Sequence, residues 1–246
     1  MQASEQVIPV NGARLWVATQ GSGDPMVLCS GGPGCCDYLD PVASMIDDLV
    51  RVYRYDARGC VRSSDAGPYD VQTSVDDLEA LRAHFGHERW VVGGHSWGAF
   101  LALAYALDHP AHTAAVVYLA GTGVQDDRQW HDAYEAGRAA RRERDPDFAF
   151  PPNLDVNRAA NASTREYIKQ PSLLRRLADL EVPMLALSGS EDIRPVWPVL
   201  QLVNLLPCAR LEMIEGAGHT MWLTHPDELR SRLRAFVLER RTTGAP

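Results

Sequence analysis

The sequence predicts an α/β fold: a mostly parallel central sheet, helices on both faces, and a short helical cap over the strand ends. Three observations carry that expectation. Short all-apolar runs such as Met26–Cys29 alternate with longer helical stretches, as in sheets buried on both faces. One such run, Val91-Val92-Gly93, turns through Gly94-His95-Ser96-Trp97-Gly98 directly into an apolar helical stretch. Finally, a segment of about fifty residues, 123–172, carries no strand pattern and interrupts an otherwise regular rhythm.

Taken in order, Val7–Val10 and Ala13–Thr19 flank Asn11-Gly12, the signature of a two-residue hairpin turn. Met26–Cys29 is a short strand that runs into the glycine-rich loop Ser30-Gly31-Gly32-Pro33-Gly34. Tyr38–Leu49 reads as helix and Val50–Tyr55 as strand. Apolar residues at 75, 78, 81 and 85 place a helix over Ser74–Phe85, ended by Gly86. Trp90–Gly93, Ala114–Leu119, Met184–Leu187 and Ala209–Ile214 are strands. Trp97–Leu107, Trp197–Leu206 and Pro226–Arg240 are helices, the last with Leu229, Leu233, Phe236 and Val237 on its apolar face. Within the cap, Gln125–Arg144 is helical and highly charged, proline clusters punctuate 146–153, and Tyr167–Leu180 forms one or two more helices. The whole of 1–246 reads as a single domain with its cap inserted at about 123–172, and no repeat or low-complexity segment interrupts it.

Composition narrows the function. Hydrophobic residues make up 46% and charged residues 23%, enough to bury a substantial core. A net charge of −8 argues against nucleic acid or an anionic membrane as the partner. Lys169 is the only lysine, a bias read as base composition rather than function. No leader or membrane-spanning run is visible. The five cysteines (Cys29, Cys35, Cys36, Cys60, Cys208) have neither metal spacing nor the even count of a disulfide framework, so reduced thiols in a cytoplasmic protein are expected. Cys35-Cys36 reads as core filler, with a redox pair as the alternative.

The chemistry centres on the serine turn. Gly94-His95-Ser96-Trp97-Gly98 fits G-x-S-x-G in its required strand–turn–helix setting, where a sharp turn leaves no room for flanking side chains. A serine hydroxyl needs a base, and the base an orienting carboxylate. In this architecture the order is serine, acid, histidine, each in a loop after a strand. Asp192 follows Met184–Leu187, with its neighbour Glu191 the alternative, and His219 follows Ala209–Ile214 in Gly216-Ala217-Gly218-His219. The oxyanion donors expected are the backbone N–H of Trp97 and that of Gly31 or Gly32. His95 is expected to pack, aimed away from Ser96. A phosphate cradle at Gly31–Gly34 is disfavoured, because no G-K-[ST] follows and Pro33 removes an amide. No metal and no cofactor are expected, since no histidine–carboxylate cluster shows ligand spacing.

These residues carry a family resemblance. The chain resembles the α/β-hydrolases and, among them, the proline iminopeptidase group of serine peptidases. Ser30-Gly31-Gly32-Pro33-Gly34, Asp56-Ala57-Arg58-Gly59-Cys60-Val61-Arg62-Ser63 and Gly93-Gly94-His95-Ser96-Trp97-Gly98 are similar to that group's H-G-G-P-G, D-x-R-G-x-G-x-S and G-G-x-S-W-G signatures. With Asp192 and Gly218-His219 the likeness runs from about residue 25 to 236. Ser30 replaces the group's histidine, Val61 replaces a glycine, and the cap is shorter. In that group cap carboxylates grip the substrate's α-amino group. Here Asp126, Asp127, Asp132, Glu135, Glu143, Asp145, Asp147, Asp155 and Glu166 are present, and none aligns with that role.

The expectation is therefore a cofactor-free serine hydrolase acting through an acyl-enzyme on a small molecule or short peptide. A proline iminopeptidase-like aminopeptidase is the leading activity, and a carboxylesterase or lactonase the alternative. A non-catalytic binding protein of the same fold is the third reading. An epoxide hydrolase or dehalogenase would want aspartate where Ser96 stands. The sequence carries no signal of oligomeric state.

Overall fold

In a computed structural model, residues 3–125, 128–140, 146 and 148–243 are described. Eight strands form one sheet: β1 (Ser4–Val10), β2 (Ala13–Gln20), β3 (Pro25–Cys29), β4 (Arg51–Tyr55), β5 (Trp90–His95), β6 (Thr113–Leu119), β7 (Met184–Gly189) and β8 (Ala209–Ile214). Their spatial order is β1-β2-β4-β3-β5-β6-β7-β8. β1 and β2 pair antiparallel across Asn11-Gly12, both at positive φ as the tight hairpin demands, and β2 pairs antiparallel with β4. From β4 onward every pairing is parallel.

Alternation along each strand explains the apolar runs. Val27 and Cys29 of β3 enter one core layer while Met26 and Leu28 enter the other, so both faces are buried. Two helices, α2 (Val71–His84) and α3 (Trp97–Asp108), fill the first layer. There α3 is buried from Gly98 to Leu107. The helix α9 (Pro226–Thr243) closes the second layer through Leu229, Leu233, Phe236 and Val237, the stripe expected from sequence.

Several boundaries differ from expectation for local reasons. The helix expected over Tyr38–Leu49 shrinks to α1 (Asp40–Ala43). Beyond it, Met45 and Ile46 donate to carbonyls three residues back, a tighter winding than an α-helix. The α2 helix begins before Ser74 because the Asp70 side chain accepts from the Thr73 amide and caps the earlier turn. Between β6 and β7 lie α4 (Arg128–Ala140), α5 (Leu154–Tyr167) and α6 (Leu173–Ala178). Tyr167, expected to open a helix, ends α5, whose start is fixed by Asn153 accepting from the Asp155 and Val156 amides. The last residues of the helix expected to Arg144 lie outside the described residues. Two short helices, α7 (Trp197–Leu205) and α8 (Met221–Thr224), complete the chain. Among the described residues no helix is long and apolar enough to cross a membrane.

Candidate active site

Ser96 sits where β5 breaks into α3, with φ 57° and ψ −120°, a backbone region that side chains rarely adopt. Its amide donates to the Leu119 carbonyl at 2.9 Å, which ties the turn to β6. The glycines two residues either side are required by contact. A Cβ on Gly94 would overlap the Gly98 carbonyl, and one on Gly98 would overlap the Cys29 carbonyl at the end of β3. The turn opens into a cavity of ≈ 310 Å³ lined by Ser96, Trp97 and Gly32 from below and by side chains of α4 and α5 above.

Asp192 and His219 lie on the loops that follow β7 and β8. His219 Nδ1 is 2.7 Å from Asp192 Oδ2, and Glu191 does not take that place. The other oxygen, Asp192 Oδ1, accepts from the Arg194 amide at 2.9 Å and from its guanidinium at 3.1 Å. Burial by itself raises the Asp192 carboxyl's pKa. The hydrogen bond to His219, the charge of that residue and Arg194 outweigh it and hold the carboxyl below its ordinary value. His219 is 8% exposed and its ring packs 4.4 Å from that of His95, the residue before Ser96. No direct hydrogen bond joins the Ser96 hydroxyl to His219 among the described residues.

His95 is more than packing. It is 2% exposed and is hydrogen-bonded through both ring nitrogens. The Gly31 amide donates to Tyr38 Oη at 2.7 Å, so the Tyr38 hydroxyl donates onward to His95 Nδ1, also at 2.7 Å. His95 Nε2–H then donates to the His219 carbonyl at 3.1 Å, and this network assigns the tautomer. Burial, and then the neighbouring His219, push the His95 pKa well below the ordinary imidazole value, so the ring is neutral. This relay spans the loop after β3, the elbow and the loop after β8.

The relay also bears on the expected donors. Of the two glycines expected to offer the second donor, Gly31 has its N–H committed to Tyr38 Oη. Gly32, at φ 50°, borders the cavity, and no described residue accepts from its amide. The Trp97 amide sits at the first position of α3, where the helical ladder has no partner for it; the ladder opens with Ala99 donating to Ser96. Ser30, in place of the resembled group's histidine, has a buried hydroxyl without a partner among the described residues, beside a void of ≈ 20 Å³ that Tyr55 and Trp97 also line.

The second motif is structural here. Arg62 grips the fully buried Asp56 carboxylate through two bonds of 2.7 Å, and Arg58 grips Asp77 at 2.7 and 2.6 Å. All five cysteines are free, and only Cys208 is exposed. Away from the cavity, Glu79, His109 and His112 bring ligand atoms within 4.8 Å of one another, a grouping that sequence spacing concealed. Both Glu79 oxygens already accept from Arg82, whose charge opposes a cation there.

Residues 24–154 match the alpha/beta hydrolase fold family, and the chain belongs to it. Within that family it resembles the proline iminopeptidases. The proline iminopeptidase of Lactobacillus helveticus is 24% identical over 87% of this chain and 89% of its own. Similar solved structures are the proline iminopeptidase of Mycobacterium smegmatis and a thermophilic esterase from Thermogutta terrifontis. The first has a TM-score of 0.78 and 20% identity, covering 98% of this chain and 100% of that one. The second has a TM-score of 0.76 and 21% identity, covering 98% and 99%. At those identities the likeness is one of fold. The chain spans 31–38% of the length of the first curated relatives it matches, all of them named proline iminopeptidases.

Proposed function

We propose that the protein is a serine hydrolase that cleaves a small ester or amide through an acyl-enzyme. The observation that carries this reading is Ser96 held at φ 57° on a strand-to-helix turn that opens into the cavity. A serine held in so strained a conformation is most simply explained by what its hydroxyl must reach. In this reading Ser96 Oγ attacks the carbonyl carbon while His219 Nε2 takes its proton. The oxyanion accepts from the Trp97 and Gly32 amides. Collapse of the tetrahedral intermediate expels the leaving group, protonated by His219, and water then reverses the sequence on the acyl-enzyme. Asp192 holds Nδ1–H toward itself throughout, supported by the 2.7 Å bond. We take 1–246 as one hydrolase domain with the segment at about 123–172 as its cap. The free cysteines agree with a cytoplasmic setting.

An aminopeptidase activity is supported by the names of the relatives. A carboxylesterase or lactonase activity is favoured by the cavity, whose described lining includes no carboxylate to receive an α-ammonium group. Comparing proline-β-naphthylamide with short-chain p-nitrophenyl esters separates the two. Ser96→Ala is expected to abolish ester turnover while the circular dichroism spectrum is preserved. Retained turnover refutes the assignment.

A further inference from the structure

We propose that the substrate of this site carries a carboxylate at the end remote from the scissile bond, and that Arg165 receives it. The proposal rests on the serine-hydrolase reading above and names its substrate class.

The wall of the cavity contributed by α5 is one helical face: Asn157, Asn161, Thr164, Arg165 and, just past the helix, Ile168 recur at intervals of three and four. Most of its polar groups are already committed. Asn157 Nδ2 donates to the Pro33 carbonyl at 2.9 Å, and Asn161 Nδ2 donates to Asn157 Oδ1 at 3.1 Å. Thr164 Oγ1 accepts from Trp97 Nε1 at 2.9 Å and donates to the Ala160 carbonyl at 2.8 Å. Arg165 differs. It is the only lysine or arginine among the described lining residues, and it forms neither an ion pair nor a hydrogen bond with any described residue.

No aspartate or glutamate is found among the described lining residues either. The cap carboxylates that the structure describes are turned to solvent: Glu135 pairs with Arg138, Asp155 with Arg158 and Glu166 with Lys169, while Asp132 is exposed. Asp126, Asp127, Glu143, Asp145 and Asp147 lie outside the described residues. Among the described lining residues an ammonium group would meet a guanidinium and no compensating carboxylate. A carboxylate would meet a planar fork of N–H donors that matches it in a bidentate pair. Trp97, Phe100 and Trp130 line the space beside Ser96, which suits a short apolar spacer between the reacting carbonyl and the charged end.

Trp97 and Trp130 also make occupancy measurable without turnover. The full chain is titrated with adipate, adipamide and 1,6-diaminohexane while tryptophan fluorescence is followed. Adipate is expected to bind about fivefold more tightly than adipamide, the return of a partly exposed ion pair, with the diamine weakest. Arg165→Gln is expected to erase the adipate advantage and leave adipamide binding unchanged, and Arg165→Lys to keep part of it. Arg165 is exposed and has no partner among the described residues, so the variants are expected to fold. Turnover of monomethyl adipate against the methyl ester of its monoamide should follow the same order, with the loss in Arg165→Gln carried by KM. Absence of a saturable response to adipate, equal binding of diacid and diamide, tighter binding of the diamine, or an adipate advantage that survives Arg165→Gln each overturns the proposal. Ester turnover that survives Ser96→Ala overturns the nucleophile assignment instead, and the titration still decides the charge preference.

Discussion

Replacing Tyr38 with phenylalanine removes one oxygen from the middle of the relay and little else. The ring stays, with its edge contact to Phe148 at 5.4 Å and its stack on Trp222 at 6.0 Å. What is lost is the acceptor for the Gly31 amide and the donor to His95 Nδ1, both at 2.7 Å. Each lost hydrogen bond costs about 0.5–1.5 kcal/mol net, and a buried amide left without an acceptor costs about 1–3 kcal/mol. Tyr38 keeps some exposure, so the lower part of that range applies, and about 2–3 kcal/mol is expected. In a chain of this size that lowers Tm by roughly 4–12 °C. Urea unfolding of Tyr38→Phe should show a lower midpoint at unchanged slope. The rate at which a fluorophosphonate labels Ser96 should fall as well, because the relay ends on the His219 carbonyl. A stability change below about 0.5 kcal/mol, within the scatter of ordinary surface substitutions, refutes the relay as a structural tie.

Two further predictions concern pH and the elbow. The folded-state pKa of His95 is depressed, so between that value and about 6.5 the unfolded chain binds a proton that the native chain does not. The His95 contribution to stability should therefore be flat above about pH 6.5 and fall below it, by up to about 1.4 kcal/mol per pH unit, with the depressed Asp192 adding a further loss in more acidic solution. Urea midpoints that stay constant from neutral pH to pH 5 contradict this. At the elbow, Gly98→Ala would drive a methyl group into the Cys29 carbonyl and should abolish Ser96 labelling. Gly86→Ala is the control: it meets nothing within 4 Å, and its φ of 71° should cost only about 1 kcal/mol with labelling preserved.

Most of the fold was legible because its signals are local. The apolar run Met26–Cys29, the Asn11-Gly12 turn and the 75-78-81 stripe each report structure within a few residues. The candidate triad was legible for a different reason: its members follow β5, β7 and β8 in the order that this architecture uses. The Tyr38–His95 relay joins residues 57 positions apart across three loops, and no periodicity encodes such a pairing. Gly31 and Gly32 are chemically identical in sequence, and it takes the folded positions of Tyr38 and the cavity to tell them apart. The start of α5 is ambiguous in sequence, because Asn153 after two prolines suits a loop as well as the helix cap it forms. Arg165 carries no local signal in the sequence: it stands apart only because, among the described residues, the nearby carboxylates Asp155 and Glu166 pair with Arg158 and Lys169.

The attachment of α5 has a consequence for anyone exchanging parts among these hydrolases. Asn153 donates to the Gly59 carbonyl at 2.8 Å and through its amide to Gly34 at 2.9 Å, and Asn157 donates to Pro33. A Cβ on Gly34 would overlap the Asn153 carbonyl, so the two surfaces fit in one register only. The roof of the cavity and the loop holding Gly32 are therefore a single transplantable unit. A chimera that imports a longer roof from a relative would have to bring asparagines in the same register, or replace the Ser30–Gly34 loop along with it.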